Sequence, residues 1–319
     1  MNGRKMRYIE DLREDMVINE VYFCRKKQEL TTKAGKPYFS LVLQDKTGNL
    51  DGKVWNVMSG GIDEFSSLDY INVSGRVTSF QGNLQLNIER IRKCGEEEYD
   101  PADYMPCTKK NVEQMYQELL DFIASIEEPH LKELLEQYFK LDATFQKAFR
   151  RYSAAKYVHH GFMGGLLEHT LGVTKMCDFF AKSYPILNRD LLLTAAMFHD
   201  MGKIIELSDF PENDYTDAGQ LLGHIYIGAH VVENSCEKVE GFPERLKREL
   251  IHCILAHHGE LEYGSPKKPA LIEAFALNFA DNADAKFQTL IELMSGDEEN
   301  LDWLGFQRTL DTNLRRTGK

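Results

Sequence analysis

The chain has 319 residues, 43% hydrophobic and 28% charged, which is the composition of a soluble globular protein of two or three domains. No run approaches the roughly 18 apolar residues of a membrane helix, and the charged start MNGRKMRYIEDLRED lacks the apolar core of a secretory signal. With 38 Lys plus Arg against 50 Asp plus Glu, the net charge is −12, which disfavours nucleic acid if it is evenly spread.

Residues 17–93 read as β. The segments VYFCRKKQEL, YFSLVLQD, LDGKVWNV, YINVSGRVTSF and LQLNIERIRK alternate apolar and polar residues, with turn residues between them. Five short strands in this length predict a small barrel. From residue 111 the period becomes helical. VEQMYQELLDFIASIEE carries Val112, Met115, Leu119, Phe122 and Ile126 on one face, and Pro129 breaks it. LLEHTLGVTKMCDFFAKSY, RDLLLTAAMFHDMGK, IYIGAHVVENSCEKV, RLKRELIHCILAHHG and ALIEAFALNFADNADAKFQTLIELM continue the pattern. The polar stretch Gly95–Lys110 marks the boundary, and the tail after about Gly296 is polar. The reading is a multidomain β + α chain. A five-stranded barrel occupies residues 1–95, a linker with a helical connection 96–149, an all-α bundle 150–295 and a tail 296–319.

The charge divides unevenly. Residues 1–95 hold 15 Lys/Arg and 12 Asp/Glu, a net of +3; the remainder holds 23 and 38, a net of −15. The acidity therefore belongs to the helical part. Cys24, Cys94, Cys107, Cys177, Cys236 and Cys253 form no CxxC pair, which argues against a disulfide framework or a Cys-based zinc site and for a reduced, cytoplasmic protein.

Nine of the ten histidines lie in the helical part, between His159 and His258 (His130 aside). His169, the pair His199–Asp200, His224, the pair His257–His258 and Asp281 are each separated by about one helix plus a connection. Successive helices of a bundle then aim them at one interior point. Imidazole and carboxylate ligands suit Mn²⁺, Fe²⁺, Zn²⁺ or Ni²⁺. Asp200 follows the apolar run LLLTAAMF, and a buried Asp is costly unless paired or metal-bound. Adjacent residues on a helix point about 100° apart, so the pair needs a helix end, which Gly202 can supply. His159 and His160 precede the glycine-rich turn GFMGG and can face the same point. His130, His230 and His252 read as ordinary core or surface residues.

The array His169, His199–Asp200, Asp281 resembles the HD superfamily of metal-dependent phosphohydrolases. HHGFMGGLLEHT, HDMGK, LLGHI, HHGELEYGSP and ALNFADNADAK are together similar to the YhaM-type 3′–5′ exoribonucleases, and KAGKPYFSLVLQDKTGNLDGKVWN resembles their N-terminal OB-fold. The resemblance implies an OB-fold barrel followed by an HD helical bundle. It implies hydrolysis of single-stranded RNA, or single-stranded DNA, from the 3′ end to 5′-mononucleotides, with one or two divalent ions. Mn²⁺ is expected first, with Fe²⁺, Co²⁺, Ni²⁺, Zn²⁺ or Mg²⁺ as alternatives. His169, His199, Asp200 and Asp281 then hold the first ion. Asp200 bridges to a second held by His224, His257 and His258, with Lys203 meeting a phosphate oxygen and His160 at the catalytic centre. On the barrel, Arg25, Lys26, Lys27, Lys36, Tyr38, Lys53, Trp55, Arg76 and Phe80 are the candidate strand-binding residues. Two other readings stand beside this one: an HD phosphohydrolase acting on nucleotides or signalling dinucleotides, and a catalytically idle nucleic-acid-binding protein. No membrane partner is expected, and a homo-oligomer remains open.

Overall fold

The computed structural model describes residues 7–80, 82–156, 160–295, 302–307 and 310–317. The chain divides into two compact units, Met1–Cys107 with Phe210–Asn213, and Thr108–Asp209 with Asp214–Lys319.

The first unit is a closed barrel in the order β1-β2-β3-β5-β4. Its strands are β1 (Val17–Thr31), β2 (Pro37–Asp45), β3 (Gly48–Val54), β4 (Tyr70–Phe80) and β5 (Asn83–Lys93). The long first strand closes it. Val17–Phe23 pairs with β4, and beyond Phe23 the strand pairs with β2, with a register shift between Cys24 and Lys26. Such an extra residue bends a strand and raises its twist, so one strand can serve two neighbours. β3 and β5 run parallel. Alternation sorts the two faces: Leu41, Leu43, Leu50, Val54, Val73, Val77, Leu86 and Ile88 fill the core. Their neighbours Tyr38, Ser40, Asp51, Lys53, Gln85 and Asn87 are at most half-buried and lie on the outer face.

The second unit is helical: α1 (Val112–Ala124), α2 (Pro129–Glu136), α3 (Ala143–Arg151), α4 (Gly165–Ser183), α5 (Arg189–Phe198), α6 (Lys203–Glu206), α7 (Asp217–Cys236), α8 (Glu244–Ala256) and α9 (Ile272–Ser295). Pro129 does interrupt the first helical run, and it then takes the opening position of α2, where its missing N–H costs nothing. Side chains cap the helices that position the site. Asn188 accepts from Leu191 N–H at the start of α5, and Thr216 from Gly219 N–H at the start of α7. Every residue of α5 from Leu191 to Phe198 is buried. At about 1.5–3 kcal/mol per large apolar side chain, α5 is the axle of the bundle, packed on α4, α8 and α9. Within the polar tail, Trp303–Gln307 and Thr312–Arg315 form an antiparallel hairpin, β6–β7. Three of the five β6 positions are exposed and none is fully buried, so the hairpin has no buried face for an alternating pattern to mark.

Candidate metal centre

Five elements of the helical unit deliver side chains to one interior point. His169 comes from the first turns of α4. α5 ends at Phe198, so His199 sits at its C-cap and Asp200 in the turn beyond. Gly202 does more than end a helix: a Cβ there would lie 2.1 Å from the His224 carbonyl oxygen, so only glycine lets this turn meet α7. α7 kinks at Gly223 (φ 73°) immediately before His224. His257 caps α8, with His258 next, and Asp281 and Asp284 lie one turn apart on α9.

The imidazoles share one orientation. Nδ1 of His199 donates to the Ala196 carbonyl (2.8 Å), Nδ1 of His257 to Ile254 (2.7 Å) and Nδ1 of His258 to Tyr263 (2.8 Å). His169 Nδ1 lies 2.7 Å from Asp284 Oδ2, and His224 Nδ1 lies 3.0 Å from Glu206 Oε1. A carbonyl or carboxylate can only accept, so each ring donates through Nδ1. A neutral ring then offers its Nε2 lone pair to the interior.

Those lone pairs converge. His169 Nε2 lies 3.1 Å from Asp281 Oδ1, 3.2 Å from His199 Nε2 and 3.5 Å from Asp200 Oδ2, and His199 Nε2 is 3.5 Å from Asp200 Oδ2. Ligands about 2.1 Å from a common ion are about 3.0–3.5 Å from one another, so this set fits a divalent cation. The other oxygen of Asp200, Oδ1, faces His224 Nε2 at 3.3 Å and His257 Nε2 at 3.7 Å. His224, His257 and His258 bring a nitrogen each within 4.8 Å of one another. Asp200 Oδ1, His224 Nε2 and His257 Nε2 are buried with no hydrogen-bond partner. Orphaned buried acceptors in a cluster are costly unless a cation meets them.

Electrostatics agrees with the geometry. Burial resists charge on Asp200, but Lys203, His199 and His224 hold its carboxyl well below the usual range. Burial likewise opposes ionisation of Asp281, Asp284 and Glu206, and their histidine partners outweigh it, lowering Asp284 to about 2. Burial and the neighbouring imidazoles keep His257 and His258 below their ordinary value. His169 goes the other way: burial opposes its charge, but Asp281 and Asp284 raise it to about 10. Lys203 is partly buried, 3.0 Å from Asp200 Oδ2, and donates to the Ala154 carbonyl; the same carboxylate keeps it protonated.

The sequence-nominated His169, His199, Asp200, Lys203, His224, His257, His258 and Asp281 are thus brought together. His160 stands behind them, buried, with Nε2 3.0 Å from Asp284 Oδ2. His159 lies outside the described residues. Two residues stood outside the nominated ligands, although the stretch FADNADAK offers Asp284 beside Asp281. Asp284 orients His169, and its signal was its place one turn after Asp281. Glu206 binds both the backbone N–H and Nδ1 of His224, and no spacing rule singles it out. Asp284 depends on Gly172 of α4, where a Cβ would stand 2.2 Å from Asp284 Oδ1. Asp284→Ala and Gly172→Ala are therefore both expected to weaken metal affinity about 10–100-fold, measured by titration of the metal-free protein.

On the barrel, Tyr38, Lys53, Trp55, Arg76 and Phe80 share the outer face of β2, β3 and β4. Tyr38 and Trp55 stack with centroids 4.8 Å apart, and Trp55 is half exposed with its Nε1 donating to Asn87. Phe80 is exposed, and so are Arg25, Lys26 and Lys36. Three of the nominated cations have partners already. Lys53 pairs with Asp51 and Ser40, Arg76 with Asp15, and Lys27 donates to the Phe65 carbonyl while lying over the Phe39 and Phe65 rings.

Comparison with known proteins agrees with both units. The HD domain family matches residues 166–286, and the OB-fold nucleic acid binding domain family matches residues 23–93. Two solved domains of replication protein A from Methanococcus maripaludis, one of them its second OB-fold domain, resemble the chain. They cover 30% and 28% of it, and 100% and 94% of those chains, at 24% and 23% identity and a TM-score of 0.24 each. The 3′-5′ exoribonuclease YhaM of Geobacillus sp. (strain WCH70) is 33% identical over 257 residues, 80% of this chain and 78% of that protein. An OB barrel and an HD centre carried in one chain, matched across most of its length, place this protein in the YhaM family of 3′–5′ exoribonucleases.

Proposed function

We propose that this chain is a metal-dependent 3′–5′ exoribonuclease that shortens single-stranded RNA to 5′-mononucleotides, with single-stranded DNA as a further candidate substrate. The observation that carries the reading is the convergence of buried, unpartnered Asp200 Oδ1, His224 Nε2 and His257 Nε2 beside the second set, His169, His199, Asp200 and Asp281. Those residues would hold two divalent ions, Mn²⁺ first among them, with Asp200 shared. Bound ions of this kind supply an ionised water and offset charge on the phosphoryl oxygens.

The chain's own groups do the rest. The Ala196, Ile254 and Tyr263 carbonyls with Asp284 and Glu206 fix each ring's tautomer, so the site is organised before substrate arrives. Lys203 offsets Asp200 and keeps a cation at the centre. His160 steadies Asp284 from behind. On the barrel, the Tyr38–Trp55 stack offers a π-face to a base, and exposed Arg25, Lys26 and Lys36 meet the backbone. Six unpaired thiols, five of them buried, suit a reducing compartment, and the reading places the enzyme in the cytoplasm. No helix among the described residues is long and apolar enough to cross a membrane.

The test is a panel of 5′-labelled single-stranded RNA, single-stranded DNA and free nucleotides, with Mn²⁺, Mg²⁺ or chelator. Stepwise shortening of RNA from the 3′ end with Mn²⁺, abolished by chelator, is expected; turnover of nucleotides alone overturns the reading. Trp55→Ala is expected to raise KM for long RNA about tenfold, since base stacking is worth about 1–3 kcal/mol. A small chromogenic phosphodiester should be cleaved as before. Equal losses on both would remove the barrel from substrate binding.

A further inference from the structure

The β6–β7 hairpin shows its aromatic rings to water. Trp303 pairs across it with Arg315 and Phe306 with Asn313, and residues directly opposite in an antiparallel pair lie on one face. Asn313 and Arg315 are two apart on β7, so the two pairs share that face. Trp303 and Phe306 are three apart, which would put them on opposite faces of a regular strand. The register shift between Trp303 and Gly305 brings them together, and Gly305 takes φ 81° there. Burial sorts the same way. Trp303 and Phe306 are each 56% exposed, Asn313 and Arg315 are exposed, and Leu304, Gln307 and Leu314 are half-buried. Arg315 lies over the Trp303 ring at 5.7 Å, and Arg316 ties the hairpin to the last turn of α9 through the Met294 carbonyl. A two-stranded ribbon is marginal alone, and stability would place its rings on the covered side, where burial stabilises. Here the leucines are the covered residues and the rings are not.

The charge of this segment also departs from its surroundings. Residues 301–319 hold four Lys/Arg and two Asp/Glu, a net of +2, whereas residues 96–300 hold 19 and 36, a net of −17. We propose that the exposed face of the hairpin is a second contact for single-stranded RNA, with Trp303 and Phe306 stacking on bases and Arg315 meeting a backbone phosphate. Aromatic rings beside a cation are the sequence-tolerant chemistry by which proteins hold single strands. Same-face neighbours on a strand are about 7 Å apart, so the two rings can take adjacent bases of an extended strand. Arg315 pairs with Asp302 at 2.6 Å, but both side chains are exposed, and such a pair competes weakly with a phosphate. A protein partner would also use the rings, but it gives no reason for a basic segment on an acidic unit; a polyanion does. The inference rests on the reading of the chain as an enzyme of single strands, and it gives the acidic unit its own hold on the strand.

Trp55 and Trp303 are the two tryptophans of the chain, so Trp55→Phe leaves Trp303 as the only indole emitter. In the full chain carrying Trp55→Phe and Asp200→Asn, with Mn²⁺ present, oligouridylate should quench Trp303 along the same curve that the anisotropy of a labelled strand gives. In the Asp200→Asn chain, Trp303→Ala with Phe306→Ala should weaken that binding about 10–100-fold with an unchanged far-UV spectrum. Arg315→Gln should lower the slope of log affinity against log salt by about 1, which a loss of structure alone would not mimic. Binding seen by anisotropy with no change in Trp303 emission, or binding unaltered in the double alanine variant, overturns the proposal. So does a double variant that binds RNA normally and turns a dimer into a monomer, which gives the face to a second copy. No binding by the intact chain overturns the single-strand reading as well, so the two failures are told apart.

Discussion

Asp200→Asn is expected to lower exonuclease turnover by about 10³–10⁴-fold, the equivalent of about 4–5.5 kcal/mol at the transition state. KM for long RNA should stay within a few fold, since the barrel residues proposed to hold the strand are untouched. The size follows from the double use of this one carboxylate. Oδ2 stands 3.5 Å from both His169 and His199 Nε2, and Oδ1 stands 3.3 Å from His224 Nε2. Asparagine keeps the volume but presents an N–H group where one of those acceptors must be. It also removes the anion that Lys203 pairs with at 3.0 Å. Turnover, metal content by elemental analysis and thermal melting should be read on the same preparation. A folded Asp200→Asn protein with wild-type turnover and full metal would falsify the shared-carboxylate centre.

That these side chains would cluster was legible in the sequence, because burial imposes a rule on the carboxylate among them. Asp200, separated from LLLTAAMF only by His199, is expected to be buried, and a buried carboxylate needs a cation. Their supporting groups were less legible. Asp284 shares a helix with Asp281, so a helical wheel puts it near the site, but that it binds His169 depends on Gly172 of another helix. Glu206 belongs to a four-residue helix whose direction is set by the turn at Gly202, which no periodicity encodes. The three carbonyls that orient His199, His257 and His258 are backbone atoms, invisible to residue type.

The barrel shows the converse. Its alternation was plain, and the outer face carrying Tyr38 and Trp55 follows from it. The role of each cation did not follow. Lys27 looks like part of the basic run Arg25–Lys27, yet its ammonium turns onto two rings and a carbonyl, while Arg25 and Lys26 stay exposed. Charge counting identifies a basic unit; only the fold says which charges are still available to a phosphate. The −12 of the whole chain is similarly uninformative, since part of it is the carboxylate set clustered with the histidines inside the helical unit.

That carboxylate set is expected to make folding stability depend on metal. Asp200, Asp281, Asp284 and Glu206 are all held ionised inside the helical unit. Against these four negative charges stand Lys203 and, while it keeps its proton, His169. Two negative charges remain, and three once a cation at Nε2 has displaced the His169 proton, a deficit that divalent cations would offset. At a free concentration 1,000-fold above Kd, binding stabilises the fold by about 4 kcal/mol. For a unit of this size each kcal/mol moves Tm by about 2–4 °C, so Mn²⁺ should raise the melting of the helical unit by about 8–16 °C over chelator-treated protein. The pH dependence has a definite sign. The raised pKa of His169 stabilises the metal-free fold below the ordinary histidine range, and that contribution is lost as pH rises through about 10. A cation at Nε2 must displace the same proton, so the metal-dependent shift should grow from pH 6 to pH 8, and metal uptake at pH 8 should release a proton detectable by calorimetry in two buffers of different ionisation enthalpy. Asp200→Asn should lose most of the shift, whereas Trp55→Ala should keep it in full. Identical melting with Mn²⁺ and with chelator at pH 8 would leave the buried carboxylates without a counter-charge and the metal assignment without its physical basis.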